Sequence, residues 1–447
     1  MVEDFKSKLT ENFIKTNSVD PALYSKYEVK RGLRNPDGSG VVTGLTNISN
    51  VHGYMVSEGE KYPIEGELVY RGYNINDLVS NAMDEKRFGY EEIVYLLLLG
   101  RLPNPQELGI FREIIAENRK LPDSFFEDMI LKAPSNNIMN KLSRSILALY
   151  SYDDTPELRT PEYEMKTAIS VIAKMPTIMV QAYQVKNMVY SGKSMFMHPL
   201  RPEESTAQSI LSTLRPDREY TDDEARLLDM MLMLHAEHGG GNNSTFTCRC
   251  LTSSGTDPYA AYSAAIGSLK GPKHGGANIK VMEMVNCFEE NIDDWEDEDE
   301  VADFMRKTLR GETNDGSGLI YGMGHAVYTY SDPRAVILKK YALDMAKGTE
   351  FEKEFNLLQT VEKLTPEIFH EVKGSSKVVC ANVDMYSGLV YKMLGIPQDL
   401  FTPLFAVARM AGWCAHRFEE MVTGRRIIRP AYKAVMKKKE YIPINER

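Results

Sequence analysis

The chain has 447 residues, 43% hydrophobic and 26% charged. That composition excludes a disordered polyelectrolyte and leaves room for a large core around a deep cleft. Its net charge of −10 argues against anionic partners only at first sight: ten acidic residues and no basic ones lie between Glu289 and Asp303, and the remainder is near neutral. Such a run reads as a solvated face and says little about a binding site.

Five cysteines, at 248, 250, 287, 380 and 414, are scattered without a CxxC pair, which indicates neither a disulfide framework nor a zinc ribbon and fits a reducing compartment. Met1 to Asn17 mixes acids with lysines and has no apolar h-region, so neither a secretory nor a transit segment is expected. Around Val94 to Leu99 the longest apolar run is too short to cross a bilayer. The expectation is a soluble cytoplasmic protein.

Strand signals are sparse. Val41 to Leu45 and Glu67 to Tyr70 read as short hairpin pieces. Helical periodicity dominates from there on, as in Leu108, Phe111, Ile114 and Ile115 after Pro105. Thr221 and Glu224 form a capping box for a helix that runs to His238, where Gly239, Gly240 and Gly241 stop it. Asp257-Pro258 opens a helix that ends at Gly271-Pro272, Asp332-Pro333 opens one that runs to Gly348, and Thr402-Pro403 opens one that ends near Gly424. No strand–helix alternation and no fixed-period repeat is visible, so the predicted class is all-α, without domain boundaries readable from composition.

Of eight histidines, four fall between positions 235 and 325, and His238, His274 and His325 each adjoin a glycine. Glycine lets backbone approach a ligand closely, and His274 lies on the tight turn Gly271 to Asn278 between two helices. The positive end of the following helix favours a neutral imidazole there, able to donate one hydrogen bond. His325 stands in Gly322-Met323-Gly324-His325, just before Arg334 on the first turn of the Asp-Pro-capped helix, a place suited to a carboxylate or phosphate. Arg409 sits in an almost wholly apolar helix and needs an anion, either a structural Asp or Glu or a bound carboxylate. Asp384, among Val383, Met385 and Tyr386, has the apolar setting that raises a general base's pKa, or is the N-cap of an apolar helix from Leu389.

Other chemistries lack their residues. Gly322-x-Gly324 has no third glycine and no preceding strand, and no Walker sequence occurs. His235 and His238 are three apart rather than in HExxH spacing, so a metal-dependent hydrolase using them with His274 is a remote reading, and no metal is expected. The basic tail of Arg425, Arg426 and Lys437 to Lys439 has no interleaved aromatics, so no nucleic-acid partner is expected.

Four ordered motifs resemble the si-type citrate synthase family over nearly the whole chain. They are His235 to Asn243, Gly271 to Asn278, Gly322 to Arg334 and Asn382 to Gly388; Tyr70 to Tyr73 and Val94 to Leu97 are similar as well. The resemblance implies an acyltransferase that condenses acetyl-CoA with oxaloacetate and water, giving citrate and CoA through an enol(ate) and citryl-CoA. It implies Asp384 as base, His274 as donor to the thioester oxygen, and His325 as the group that polarises and protonates the oxaloacetate carbonyl. His238, Arg334 and Arg409 would hold oxaloacetate, with Arg429 reaching in from the partner of a homodimer. Leu319, Ile320, Gly322, Asn382 and Lys377 would serve CoA, and no cofactor is implied. A large helical domain (1–278 and 391–447) would carry an inserted smaller one (279–390), with the cleft between them. A 2-methylcitrate synthase using propionyl-CoA is the close alternative. This chain departs from the family pattern at Gly239 in place of Glu, at Met323, at Cys380-Ala381 in place of Tyr-Pro, and in the less basic Gly374 to Ser376 stretch.

Overall fold

The computed structural model describes residues 2–57, 60–374 and 378–447 and is mostly helical. Helix starts follow local chemistry. Asn104 with Glu107, Ser205 with Gln208 and Thr221 with Glu224 form reciprocal capping boxes, while Asp257 and Asp332 cap helices that have proline at their first position. The helix predicted to reach His238 is Asp222–His235, and the chain leaves helical geometry before the three glycines.

At the centre lies Phe401–Thr423, in which every side chain from Phe401 to Arg417 is buried. It packs against Tyr90–Leu99, the long Pro161–Ser191 helix, Asp222–His235 and Asn243–Thr252. A helix apolar all round has to be enclosed in this way. Its polar members must then find partners inside the core: Arg417 forms a bidentate pair with Glu164, both bonds at 2.8 Å. The helices Ala277–Asn291, Glu298–Arg310, Pro333–Ala346, Glu352–Lys373 and Asp384–Met393 form a second packed group, attached to Phe401–Thr423 through the first of them.

The sheet is larger than the sequence indicates. Strands β1 (Ser49–Ser57), β2 (Glu60–Tyr70) and β3 (Tyr73–Asn74) pair antiparallel in that order, with Ser49 opposite Tyr70. The predicted Glu67 to Tyr70 piece is the end of β2. Val41 to Leu45 is not a strand: it is irregular and its Val42 and Leu45 side chains are exposed, so no buried face exists to organise pairing. β1 escaped notice because Gly53 interrupts its alternation where the register shifts between His52 and Tyr54. The structure gives that glycine a purpose. A Cβ on Gly53 would lie 2.8 Å from Val327 O, and one on Gly66 would lie 2.1 Å from Ser331 O, so the hairpin backbone seats directly on the loop that follows His325.

Candidate active site

Two loops meet backbone to backbone to form the site. Met323 and Ala381 form an isolated antiparallel bridge; the Gly324 amide donates to Cys380 O at 2.7 Å and the Asn382 amide to Gly322 O at 2.8 Å. Gly322 has φ +83°, and a Cβ there would fall 2.9 Å from Met385 Cα. Only glycine allows this approach, which sets the His325 loop beside the start of the Asp384 helix.

Hydrogen bonds fix the tautomer of each histidine. Ser244 faces Nε2 of His274 with its amide at 3.3 Å and its hydroxyl at 2.9 Å. An amide can only donate, so Nε2 accepts and the ring hydrogen is on Nδ1. Ser244 is itself held by the Trp413 indole, which donates to its Oγ at 3.2 Å. In His325 the assignment is reversed: Nδ1 accepts from the Val327 and Tyr328 amides, both at 3.1 Å, which leaves the hydrogen on Nε2. Burial lowers both imidazoles to about 4, with Arg409 adding to the effect at His274 and Arg334 at His325. Near neutrality both are uncharged donors.

Tyr328 stacks on His325 at 4.5 Å, and its hydroxyl meets Nε2 of His238 at 3.2 Å. His238 stands edge-on to His325 at 5.1 Å, and burial, with Arg334 next, pushes it well below the usual imidazole range.

The structure brings Asp384 into the same neighbourhood, at the first position of the Asp384–Met393 helix rather than ahead of a helix from Leu389. It is not the N-cap. Val383 holds that position, and the side-chain carbonyl of Asn382 accepts the Asp384 amide at 3.0 Å, which leaves the Asp384 carboxylate uncommitted to the backbone. Burial raises the carboxyl to about 6 against the pull of Arg334 and Arg409, with Asp332 adding to the rise.

The two cations differ in how they are held. Arg334 is buried and paired with Asp332, Nε to Oδ1 at 3.0 Å and Nη2 to Oδ2 at 2.7 Å. Asp332 also accepts the Arg334 and Val383 amides, so one carboxylate secures both the cation and the approach to Asp384. Arg409 donates through Nε to His235 O at 2.6 Å and lies over the Phe405 ring at 4.7 Å, while its Nη2 has no partner. Among the described residues no carboxylate forms an ion pair with Arg409, and burial lowers it to about 10. The structural Asp or Glu that the sequence left open is therefore absent from its first contacts.

His235 is buried against Phe405, with both ring nitrogens free of hydrogen bonds. His235, His238 and His274 make separate contacts, and among the described residues no group of three His, Cys, Asp or Glu is arranged to hold a metal ion. Of the CoA candidates, Leu319 is exposed and Ile320 buried; Asn382 spends its side chain bracing Gly324 O and the Asp384 amide. Lys377 lies outside the described residues. Arg429 is exposed on the segment after Phe401–Thr423 and joins none of these contacts within the chain. Sequence reasoning read Asp332 only as a helix cap and missed Ser244, Trp413 and Tyr328, as well as a cluster of the buried Glu237 and His416 with the half-buried Arg249. Their only signal was a polar residue inside an apolar stretch or next to a glycine.

Against this geometry stand the comparisons with known proteins. Residues 37–431 match the family model for the citrate synthase C-terminal domain. A citrate synthase of Synechocystis sp. is 33% identical over 412 residues, covering 92% of this chain and 93% of that protein. A 2-methylcitrate synthase of Corynebacterium glutamicum is 31% identical over 432 residues, covering 95% of this chain and all of that one. The crystal structure of citrate synthase from Thermotoga maritima superposes with a TM-score of 0.73 at 30% identity, covering 94% of this chain and 99% of that one. That from Thermoplasma acidophilum, a ternary complex with carboxymethyl coenzyme A and oxaloacetate, gives 0.75 at 27% identity, covering 94% of this chain and 99% of that one. The chain belongs to the citrate synthase family.

Proposed function

We propose that this enzyme condenses acetyl-CoA with oxaloacetate through the residues described above, as the condensing step of the tricarboxylic acid cycle. The observation that carries the reading is the pair of neutral imidazoles with opposite tautomers, His274 presenting Nδ1–H and His325 presenting Nε2–H, together with a carboxyl raised to about 6 on the loop joined to that of His325. Two carbonyls need two donors, and a methyl group needs a base.

Asp384 takes a proton from the acetyl methyl group, and the electron pair moves onto the thioester oxygen, where His274 Nδ1–H donates. The enolate carbon attacks the ketone carbon of oxaloacetate. His325 Nε2–H polarises that ketone and delivers its proton to the oxygen as the carbon–carbon bond forms; the proton taken by Asp384 returns to His325 through water during hydrolysis of the thioester, which leaves both groups as they began. Water then cleaves the citryl thioester to citrate and CoA. His238, Arg334 and the free Nη2 of Arg409 hold the oxaloacetate oxygens. No resident cofactor is drawn on, because each developing charge has a donor within the chain.

Closure of residues 279–390 over bound oxaloacetate would keep water from the enolate. A homodimer in which Arg429 completes the partner's site is supported by the segment after Gly424, where Tyr432 is 94% and Met436 81% exposed, with nothing among the described residues to cover them. CoA would run past Leu319, Ile320 and Gly322, with Lys377 near its phosphate. Five free thiols accord with a cytoplasmic setting, and among the described residues no helix is long and apolar enough to cross a membrane.

The Corynebacterium relative favours a second reading, propionyl-CoA giving 2-methylcitrate. One methylene is worth about 1–3 kcal/mol in a pocket. Comparing oxaloacetate-dependent thiol release from acetyl-CoA and propionyl-CoA decides: faster release from acetyl-CoA is expected, and the reverse preference overturns the narrower assignment.

A further inference from the structure

Glu237 and Arg409 are both buried, opposite in charge and close enough to influence one another, yet they form no ion pair. The arrangement of Glu237 accounts for this. Its Oε1 accepts three hydrogen bonds, from His416 Nε2 at 2.8 Å, Ser49 Oγ at 2.9 Å and the Gly239 amide at 2.6 Å. Its Oε2 accepts none, and Arg409 Nη2 donates none.

Arg409 and Gly412 share one face of the Phe401–Thr423 helix, and the segment carrying Glu237 packs on it. Arg409 Nε holds His235 O, and one turn later the Gly412 amide donates to Ala236 O at 3.2 Å. A Cβ on Gly412 would lie 2.2 Å from Glu237 Oε2, so the carboxylate rests directly on the helix, one turn from Arg409. His416 is pinned in turn. Arg249 Nε donates to its Nδ1 at 3.0 Å, which leaves the ring hydrogen on Nε2 for Glu237, and Arg249 is paired with Glu419 and Glu420.

We propose that His416 is a positioning residue that holds the Glu237 carboxylate off Arg409, so that Nη2 of Arg409 stays free for a substrate carboxylate. The latch prevents the Glu237 carboxylate from occupying the binding donor. A direct buried pair would have to be broken by each incoming oxaloacetate, and charge-assisted pairs are the strong ones. The proposal rests on the reading that Arg409 binds oxaloacetate.

The test is a double-variant cycle read by steady-state kinetics, with thermal unfolding as a control for folding. His416→Leu is expected to raise KM for oxaloacetate about tenfold or more, equivalent to about 1.4 kcal/mol, with kcat and the KM for acetyl-CoA nearly unchanged. Glu237→Gln alone is expected not to raise KM. Combined with His416→Leu it is expected to restore KM, since an amide cannot form the competing ion pair. A merely structural role predicts the opposite, a double variant as poor as or worse than His416→Leu, and that result overturns the proposal. If His416→Leu does not fold, Arg249→Met, which removes the tether on His416 together with the Arg249 pairs to Glu419 and Glu420, is expected to show the same split, and an unchanged KM there overturns the latch. A wild-type chain without oxaloacetate-dependent thiol release overturns the catalytic reading itself, whereas an active wild type with no KM effect overturns the latch alone.

Discussion

Asn382 joins the two catalytic loops by holding Asp384 with one end of its side chain: its carbonyl accepts the Asp384 amide at 3.0 Å while its amide donates to Gly324 O at 2.9 Å. The relative placement of base and histidine loop thus depends on one short side chain. Asn382→Ala is expected to lower kcat by about 10–100-fold with the fold intact, because misplacement of about 1 Å in an active site costs on that order. Circular dichroism and steady-state kinetics on the same preparation check it; an unchanged kcat would remove the bracing role.

The pH dependence follows from three groups. Asp384 must be ionised to act as a base, and its carboxyl sits at about 6. His274 and His325 stay neutral down to about 4, so they impose no limit above that value. The rate with acetyl-CoA is therefore expected to fall as pH drops through about 6, with a single-proton slope. Bound oxaloacetate, an anion, can only move that limb upward. Activity that holds steady down to pH 5 would contradict the assignment.

Stability has a separate anchor in Arg417 and Glu164, which are almost wholly buried and joined by two 2.8 Å hydrogen bonds, with Thr252 and Thr256 O completing the guanidinium's partners. Removing one member strands the other charge in the core. Arg417→Met is expected to cost about 3–5 kcal/mol, read as a lower urea midpoint. Arg417→Met with Glu164→Leu should cost less than the single change. If the single variant is as stable as the wild type, the pair is not an anchor.

What the sequence could reveal here was governed by range. The caps at Thr221, Asp257 and Asp332 are local chemistry, legible within four residues, and the structure has each of them. Arg409 was conspicuous because a cation in an apolar helix violates burial, and its unpartnered Nη2 keeps that anomaly visible in the fold. Ser244 was silent, since its bond to His274 spans thirty positions and nothing local distinguishes it from any other serine. β1 was hidden because the residues that make Gly53 necessary lie at Val327 and Tyr328. Asp384 was read as base or cap, and only the neighbouring Asn382, whose side chain accepts the Asp384 amide, separates the two.

The central claim is that Asp384 removes the methyl proton of acetyl-CoA in an oxaloacetate-dependent condensation. Its most direct measurement is thiol release from acetyl-CoA by wild type and Asp384→Ala, with oxaloacetate affinity determined by calorimetry on both. The account predicts rapid release by the wild type, and a fall of about 10²–10⁴-fold in kcat for the variant, which still binds oxaloacetate. A variant that keeps the wild-type rate while binding oxaloacetate normally would contradict it.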